Sequence, residues 1–434
     1  MIRVLFCSVL VLASVASARG QDFTIPARLT LDEALRLAAE RNPTVAAARN
    51  AIEIADAQRV DARLRPNPAV SFESEGYPLF EPSRPSFTNN QELTLRFDQE
   101  IETSGRRRLR VEGAQSAVAV AESQRRDRLR QLDLDVRRAY FQAVLAKADS
   151  EVAQTALGEI DQVITLNRAR LQQGEISGAE LRRLQVERLR FVDDVFASQL
   201  ALRNARSALL ALLNAPDLAQ AIDVVEPLEP PTGTVTIGGI PIGVAPATPL
   251  NTDAFRASAL ANRPDLAAVR QEQERADTET RLQRALRTPN ITVGAGYKRD
   301  FGTNAVVFGV TVPLPISNRN QGGIARAEAE RRRAANEAAA AETTVRLDVQ
   351  QAVNAVQINR ERVDYIRREY LENARQSRDI VLASYRLGAT DLIDYLDAQR
   401  AFRDTQRTYN RAVFEERVSL FELAAATGAP PLQP

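Results

Sequence analysis

Glu40-Arg41-Asn42-Pro43-Thr44-Val45-Ala46-Ala47 returns later in the chain as Ala261-Asn262-Arg263-Pro264-Asp265-Leu266-Ala267-Ala268. The shift from Pro43 to Pro264 also carries Pro68 onto Pro289, and a short alternating segment follows each. Further on, Leu171-Gln172-Gln173-Gly174 aligns with Tyr385-Arg386-Leu387-Gly388, and Asn214-Ala215-Pro216 with Gly428-Ala429-Pro430, at one common shift. Landmarks repeated in one order are the signature of an internal duplication. The expected organisation is a first repeat over 19–216, a linker over 217–250, a second repeat over 251–430 and a short tail over 431–434.

Each half reads as helix, two short strands, a very long helix, a reversal and a returning helix. The first helical stretch, Leu29 to Arg65, opens with Thr30 as N-cap and Glu33 three residues later, a capping box. The linker from Asp217 to Leu250 holds Pro227, Pro230, Pro231, Pro241, Pro246 and Pro249, so it is expected to be non-helical.

Composition narrows the chemistry. The 434 residues carry 57 Lys+Arg and 56 Asp+Glu, a net charge of +1, which argues against a nucleic-acid partner. There is no His, the only Cys is Cys7 and the only Met is Met1. A His/Cys metal site and a Ser-His-Asp or Cys-His unit cannot be built. Lys147 and Lys298 are the only lysines. No cofactor is expected; an enzyme is not excluded, since carboxylates abound, but few catalytic groups are available. Arg3, the apolar Val4–Val15 and Ala16-Ser17-Ala18 have the form of an export signal over 1–18, cleaved after Ala18.

Four segments alternate with a period of two, which puts one residue set on each face of a sheet. In the hairpin at about 68–101, Val70 and Phe72 alternate with Ser71 and Glu73. Leu93, Leu95, Phe97 and Ile101 then alternate with Glu92, Thr94, Arg96, Asp98 and Glu100. In the hairpin at about 289–314, Ile291, Val293, Ala295 and Tyr297 alternate with Thr292, Gly294, Gly296 and Lys298. Val306, Phe308, Val310 and Val312 alternate with Val307, Gly309 and Thr311. Each segment has roughly the length of a strand crossing an outer membrane. Four strands cannot close a barrel, and an open edge in lipid leaves backbone groups unpaired. Several identical chains must then share one barrel. The loops Pro78–Asn90 and Arg299–Asn304 would be the outer turns. A half-buried sheet in a soluble cap remains the competing reading.

From Ser104 to Gln172 there is no Pro, which predicts a helix on the order of 100 Å long. Leu181, Leu184, Phe191, Val195, Leu202, Leu209 and Leu212 recur in steps of three, four and seven, and Val349, Val356, Val363 and Tyr370 in steps of seven. This is the pattern of supercoiled helices. At the reversals, Gly174 and Gly388 permit left-handed backbone, and Ser177 or Thr390 can cap the helix that follows. Asp394 and Asp397 are three apart and share a helix face. In a ring of identical chains these carboxylates would make a cation-favouring constriction.

Taken in order, these features resemble a TolC-family outer membrane efflux protein. The resemblance rests on Leu29-Thr30-Leu31-Asp32-Glu33-Ala34-Leu35 with Asn42-Pro43, the duplicated plan, the tips at Gly174 and Gly388, and Leu396-Asp397-Ala398-Gln399. It implies a mainly α fold with a membrane β-barrel. Three chains would give four strands each to a 12-stranded barrel, and their long antiparallel coiled-coil helices would form an α-barrel across the periplasm. It implies a passive exit duct in the outer membrane of a Gram-negative bacterium, embedded in outer membrane lipid. Its partners would be a periplasmic adaptor and an inner-membrane pump of the resistance-nodulation-division type. Gly174, Ser177, Leu387 and Gly388 would meet the adaptor at the tip. Asp394, Asp397, Tyr385 and Glu180 would belong to the constriction and gate. Thr390 stands where a basic gating partner can sit, so closure there is expected to use hydrogen bonds or packing. The alternative is an exported structural coiled coil without a pore.

Overall fold

The computed structural model describes residues 25–76, 91–229, 235–237, 239–242, 250–300 and 302–428. The export segment 1–18, the loop Pro78–Asn90, several linker residues and the tail 431–434 lie outside the described residues.

Strand β1 (Arg28–Leu29) leads into α1 (Leu31–Arg41). Thr30 caps α1: its hydroxyl accepts from the Glu33 amide (3.3 Å), and the Glu33 carboxylate accepts from the Thr30 amide (3.2 Å). The expected single stretch is two helices, because α2 (Pro43–Arg63) restarts at Pro43. Proline cannot continue an upstream helix but suits the first turn of a new one. Asn42 serves both, since it ends α1 and its side chain accepts from the Thr44 amide (2.9 Å).

A hairpin of β2 (Ala69–Glu75) and β3 (Glu92–Ile101) follows, then α3 (Arg106–Gln172) and α4 (Gly178–Leu212). At 67 residues, α3 is about 100 Å long by helical rise. Short strands β4 (Asp223–Val224), β5 (Val235–Ile237) and β6 (Ile240–Ile242) occupy the described linker. The second half continues with α5 (Thr252–Asn262), α6 (Pro264–Ala285), β7 (Ile291–Asp300), β8 (Thr303–Thr311), α7 (Gln321–Tyr365), α8 (Glu372–Arg386) and α9 (Leu392–Ala426). A π-helical turn, Ile366–Leu371, joins α7 to α8. Among the described residues no helix is long and apolar enough to cross a membrane.

The largest core lies midway along the helices. Leu29, Val136, Tyr140, Phe141, Leu209 and Leu213 are fully enclosed there. Tyr140 pins the linker to it: its hydroxyl donates to the Leu29 carbonyl (2.8 Å) and accepts from the Val225 amide (3.1 Å). Beside it β1 pairs in parallel with β4. Removing that hydroxyl would strand two backbone groups, at about 1–3 kcal/mol for each one left buried and unpaired.

The sevenfold pattern on α7 holds through Val349, Val356 and Val363, all buried. It fails at Tyr370, which is exposed. The π turn is the reason, because its wider winding rotates the face that points inward. Ile366 takes the buried place instead. Tyr370 packs edge-on to Tyr365, with ring centres 5.4 Å apart.

The four long strands form one antiparallel sheet in the order β2-β3-β7-β8. Phe97 is paired to Val70 on one side and to Ala295 on the other, and Ala295 to Phe308. Leu95 likewise links Phe72 and Tyr297, and Tyr297 links to Val306. These apolar positions therefore share one face, while Val307 falls on the other. Among the described residues nothing covers the apolar face: Phe72 is 68% exposed and Phe308 82%. The opposite face carries Arg96 paired with Asp98 (2.7 Å) and Lys298 with Glu92 (2.9 Å).

Candidate functional site

Two places on the chain carry functional geometry. They are the end where the long helices reverse and the polar face of the sheet.

The reversals are built alike. Helix α3 closes on Gly174 at φ +78°, whose amide donates to the Leu171 carbonyl (3.1 Å); the Glu175 amide donates to Arg170 (2.9 Å). Helix α8 closes on Gly388 at φ +76°, whose amide donates to Tyr385 (3.0 Å); the Ala389 amide donates to Ser384 (2.9 Å). Positive φ is what glycine supplies at low cost. Ser177 caps α4, accepting from the Glu180 amide (3.2 Å). Thr390 does not cap α9. That helix starts one residue later with Asp391 at the cap position, and the Thr390 hydroxyl turns back to the Val381 carbonyl (3.5 Å).

Beneath the turns lies a small core of Ile160, Val163, Ile164, Leu184, Leu392 and the stacked pair Tyr385–Tyr395, with ring centres 5.8 Å apart. The Tyr385 hydroxyl donates to Asn167 Oδ1 on α3 (2.8 Å). Burial and the nearby Glu180 carboxylate push its phenol up, against the bond to Asn167. Tyr395 is pushed up to about 12, first by burial and then by Glu159. Gly174, Ser177, Leu387 and Gly388 are exposed, Leu387 at 85%. Asp394 and Asp397 are both exposed on the first turns of α9. Asp397 accepts from Arg400 (2.9 Å), which also reaches Glu187 on α4 (3.0 Å). Among the described residues Asp394 has no ion-pair partner.

Arg170 carries no local signal in the sequence. Its guanidinium donates to the carbonyls of Tyr385 (3.3 Å) and Arg386 (2.7 Å) and lies 5.5 Å from the Tyr385 ring centre. One α3 side chain thus caps the end of α8, where carbonyls lack helical partners. Polar tethers to α3 and α4 hold the side chains along α9 in the same way. Arg403 reaches Asp194 (2.5 Å), and Gln399 donates to Glu159 (2.5 Å), which also accepts from Arg378 (2.8 Å). Arginine and acid spaced along a polar helix read as a solvated surface until the facing helix is known.

A long helical hairpin pair joined to a two-faced sheet suits a transport conduit better than a catalyst. Comparison with known proteins places the chain among outer membrane efflux proteins. The family model described as outer membrane efflux protein matches residues 34–221 and 256–429. The chain is 26% identical over 388 residues to the cobalt-zinc-cadmium resistance protein CzcC of Cupriavidus metallidurans, covering 88% of this chain and 85% of that one. It is 25% identical to the pyoverdine export outer membrane protein OpmQ of Pseudomonas putida, covering 90% and 85%. The solved structure of the outer membrane protein VceC of Vibrio cholerae superposes with a TM-score of 0.72 at 21% identity, covering 92% and 96%.

The chain belongs to the outer membrane efflux protein family. It is an outer membrane efflux channel with a mostly helical, TolC-like fold. Its family works with an adaptor and an inner-membrane pump.

Proposed function

We propose that three copies of this chain close one 12-stranded barrel and one helical tunnel, forming the passive exit duct of a tripartite pump. The observation that carries the proposal is the sheet: four antiparallel strands with, among the described residues, an uncovered apolar face and two unpaired edges, β2 and β8. An even number of strands per chain lets β8 of one copy meet β2 of the next in antiparallel fashion. Ring closure then satisfies every edge group that lipid would leave unpaired. Each copy is one duplicated unit, with repeats over 19–216 and 251–430 joined by 217–250.

At the other end, Gly174, Ser177, Leu387 and Gly388 are the exposed tip that meets the periplasmic adaptor. Tyr385 and Glu180 belong to the closing network, and Asp394 and Asp397 ring the mouth. The Arg400 bond to Asp397 leaves Asp394 as the stronger source of cation preference there. The pump is of the resistance-nodulation-division type. CzcC is named for cobalt-zinc-cadmium resistance and OpmQ for pyoverdine export, which suits a duct that does not select its cargo by binding.

Paired cysteines test the closure. Cysteines at Val70 or Phe72 are combined with cysteines at Val306, Phe308 or Val310 and oxidised in outer membranes. The expected result is a ladder ending at three linked chains. If no combination links chains, the shared barrel is wrong. In bilayers, Asp394→Asn should lower cation selectivity more than Asp397→Asn; equal selectivity in both variants and the parent removes the acidic ring.

A further inference from the structure

Halfway along the sheet, three of the four polar-face positions on β7 and β8 are glycine. One cross-strand row runs Ala69, Asp98, Gly294, Gly309, and the next runs Ser71, Arg96, Gly296, Val307. Arg96 and Asp98 are the only charged residues in these two rows. Towards the outer turn the same face carries Glu73, Glu75, Glu92, Lys298 and Asp300.

Arg96 does not stand up from this floor. A methyl built on Gly294 would lie 2.8 Å from its Nε, and one built on Gly309 would lie 2.6 Å from its Nη2. Gly309 belongs to β8, two strands away from Arg96 on β3. At about 4.8 Å between strands, the side chain stretches across nearly 10 Å of sheet. Asp98 fixes it there through Nε (2.7 Å), and Asp98 itself sits where a methyl on Gly294 would be. The pair is largely covered, at 34% and 23% side-chain exposure. Gly296 has a different duty: a methyl there would lie 2.6 Å from the Leu95 backbone carbonyl, so it permits the strands to approach.

We propose that Gly294 and Gly309 are a recess that holds the Arg96–Asp98 pair flat on the barrel wall, and that this sets the free width of the lumen at its middle. Flat and paired, the guanidinium keeps its charge on the wall and its length out of the path. Lifted, three copies of it would point inward at one level. The inference rests on the duct reading given above. It adds a determinant of passage that lies in the sheet and not at the tip.

The test uses the full chain in outer membranes with Cys7→Ser and one new cysteine, Thr311→Cys. Thr311 lies on the same face, beyond the Arg96 level as seen from the outer turn. The probe is a polymer-linked maleimide too large for general diffusion pores, added outside. Labelling of the cysteine is expected to slow several-fold when Gly309→Ala is added. It is expected to recover when Arg96→Ala is added to that variant. Gly309→Ala should fold, because the methyl meets the far end of a flexible side chain. Equal labelling with and without the methyl overturns the inference, as does slowing that persists without Arg96. A cysteine that labels in no background is a separate result and overturns the water-filled duct itself.

Discussion

Replacing Arg170 with alanine should loosen the end where the long helices reverse without disturbing the rest of the chain. The side chain is 15% exposed and donates to the Arg386 carbonyl at 2.7 Å and the Tyr385 carbonyl at 3.3 Å. A hydrogen bond from a charged group is worth about 1.5–3 kcal/mol. The longer bond adds little, since Tyr385 already accepts from Gly388. Contact with the Tyr385 ring adds about 0.5–1 kcal/mol at a partly exposed site. These terms overlap, so a total of about 2–3 kcal/mol is reasonable, or roughly 30- to 150-fold in a local opening equilibrium. Hydrogen–deuterium exchange reads that equilibrium directly. The amides of Gly388 and Ala389 should exchange faster by that factor in Arg170→Ala, while those around Tyr140 stay unchanged. Arg170→Lys should lie between the two, because an ammonium cannot span both carbonyls. A change below about threefold at Gly388 and Ala389 would refute the idea that this cap holds α8.

Other outcomes follow from the same geometry. Ser177→Ala should cost the start of α4 about 1 kcal/mol, whereas Thr390→Ala should cost less than half of that, because only Ser177 caps a helix; local exchange at 178–182 and 391–395 compares them. Gly428→Ala should lower the melting temperature clearly. At φ +65° the left-handed backbone alone costs about 1–2 kcal/mol, and its methyl would lie 2.8 Å from the Arg263 backbone nitrogen. Acid should weaken the Arg263–Asp265 clasp at the start of α6. Burial would raise the Asp265 carboxyl, but its bonds from Arg263 override that and hold it below the ordinary value of 3.8. Its contribution is therefore complete above that value and is lost as pH falls below it. Asp265→Asn should flatten this part of the acid melting curve, and an unchanged curve would refute the assignment.

Much of the fold was legible because it is local. The capping box at Thr30, the glycine turns and the alternation of Val306, Phe308 and Val310 each follow from neighbours in sequence. What was not legible is tertiary. Alternation gives each strand two faces, but nothing local puts β3 beside β7, a pairing that joins the two halves. The step from Val363 to Tyr370 looked like one more heptad, and only the packed helix reveals the π turn that breaks it. The site divided the same way. Gly174, Ser177 and Gly388 were visible as turn chemistry. Tyr385 was visible as a residue type, but its partner Asn167 is 218 positions away. Arg170 and Arg96 were hidden among the many arginines of the chain, because an arginine's role depends on the carbonyl or the glycine floor it meets.

The central claim is that three identical chains share one barrel. The most direct measurement is the native mass of the protein extracted from outer membranes in mild detergent, with bound detergent subtracted. The account predicts a mass three times that of the mature chain and no release without detergent. A monomer released by buffer alone would contradict it.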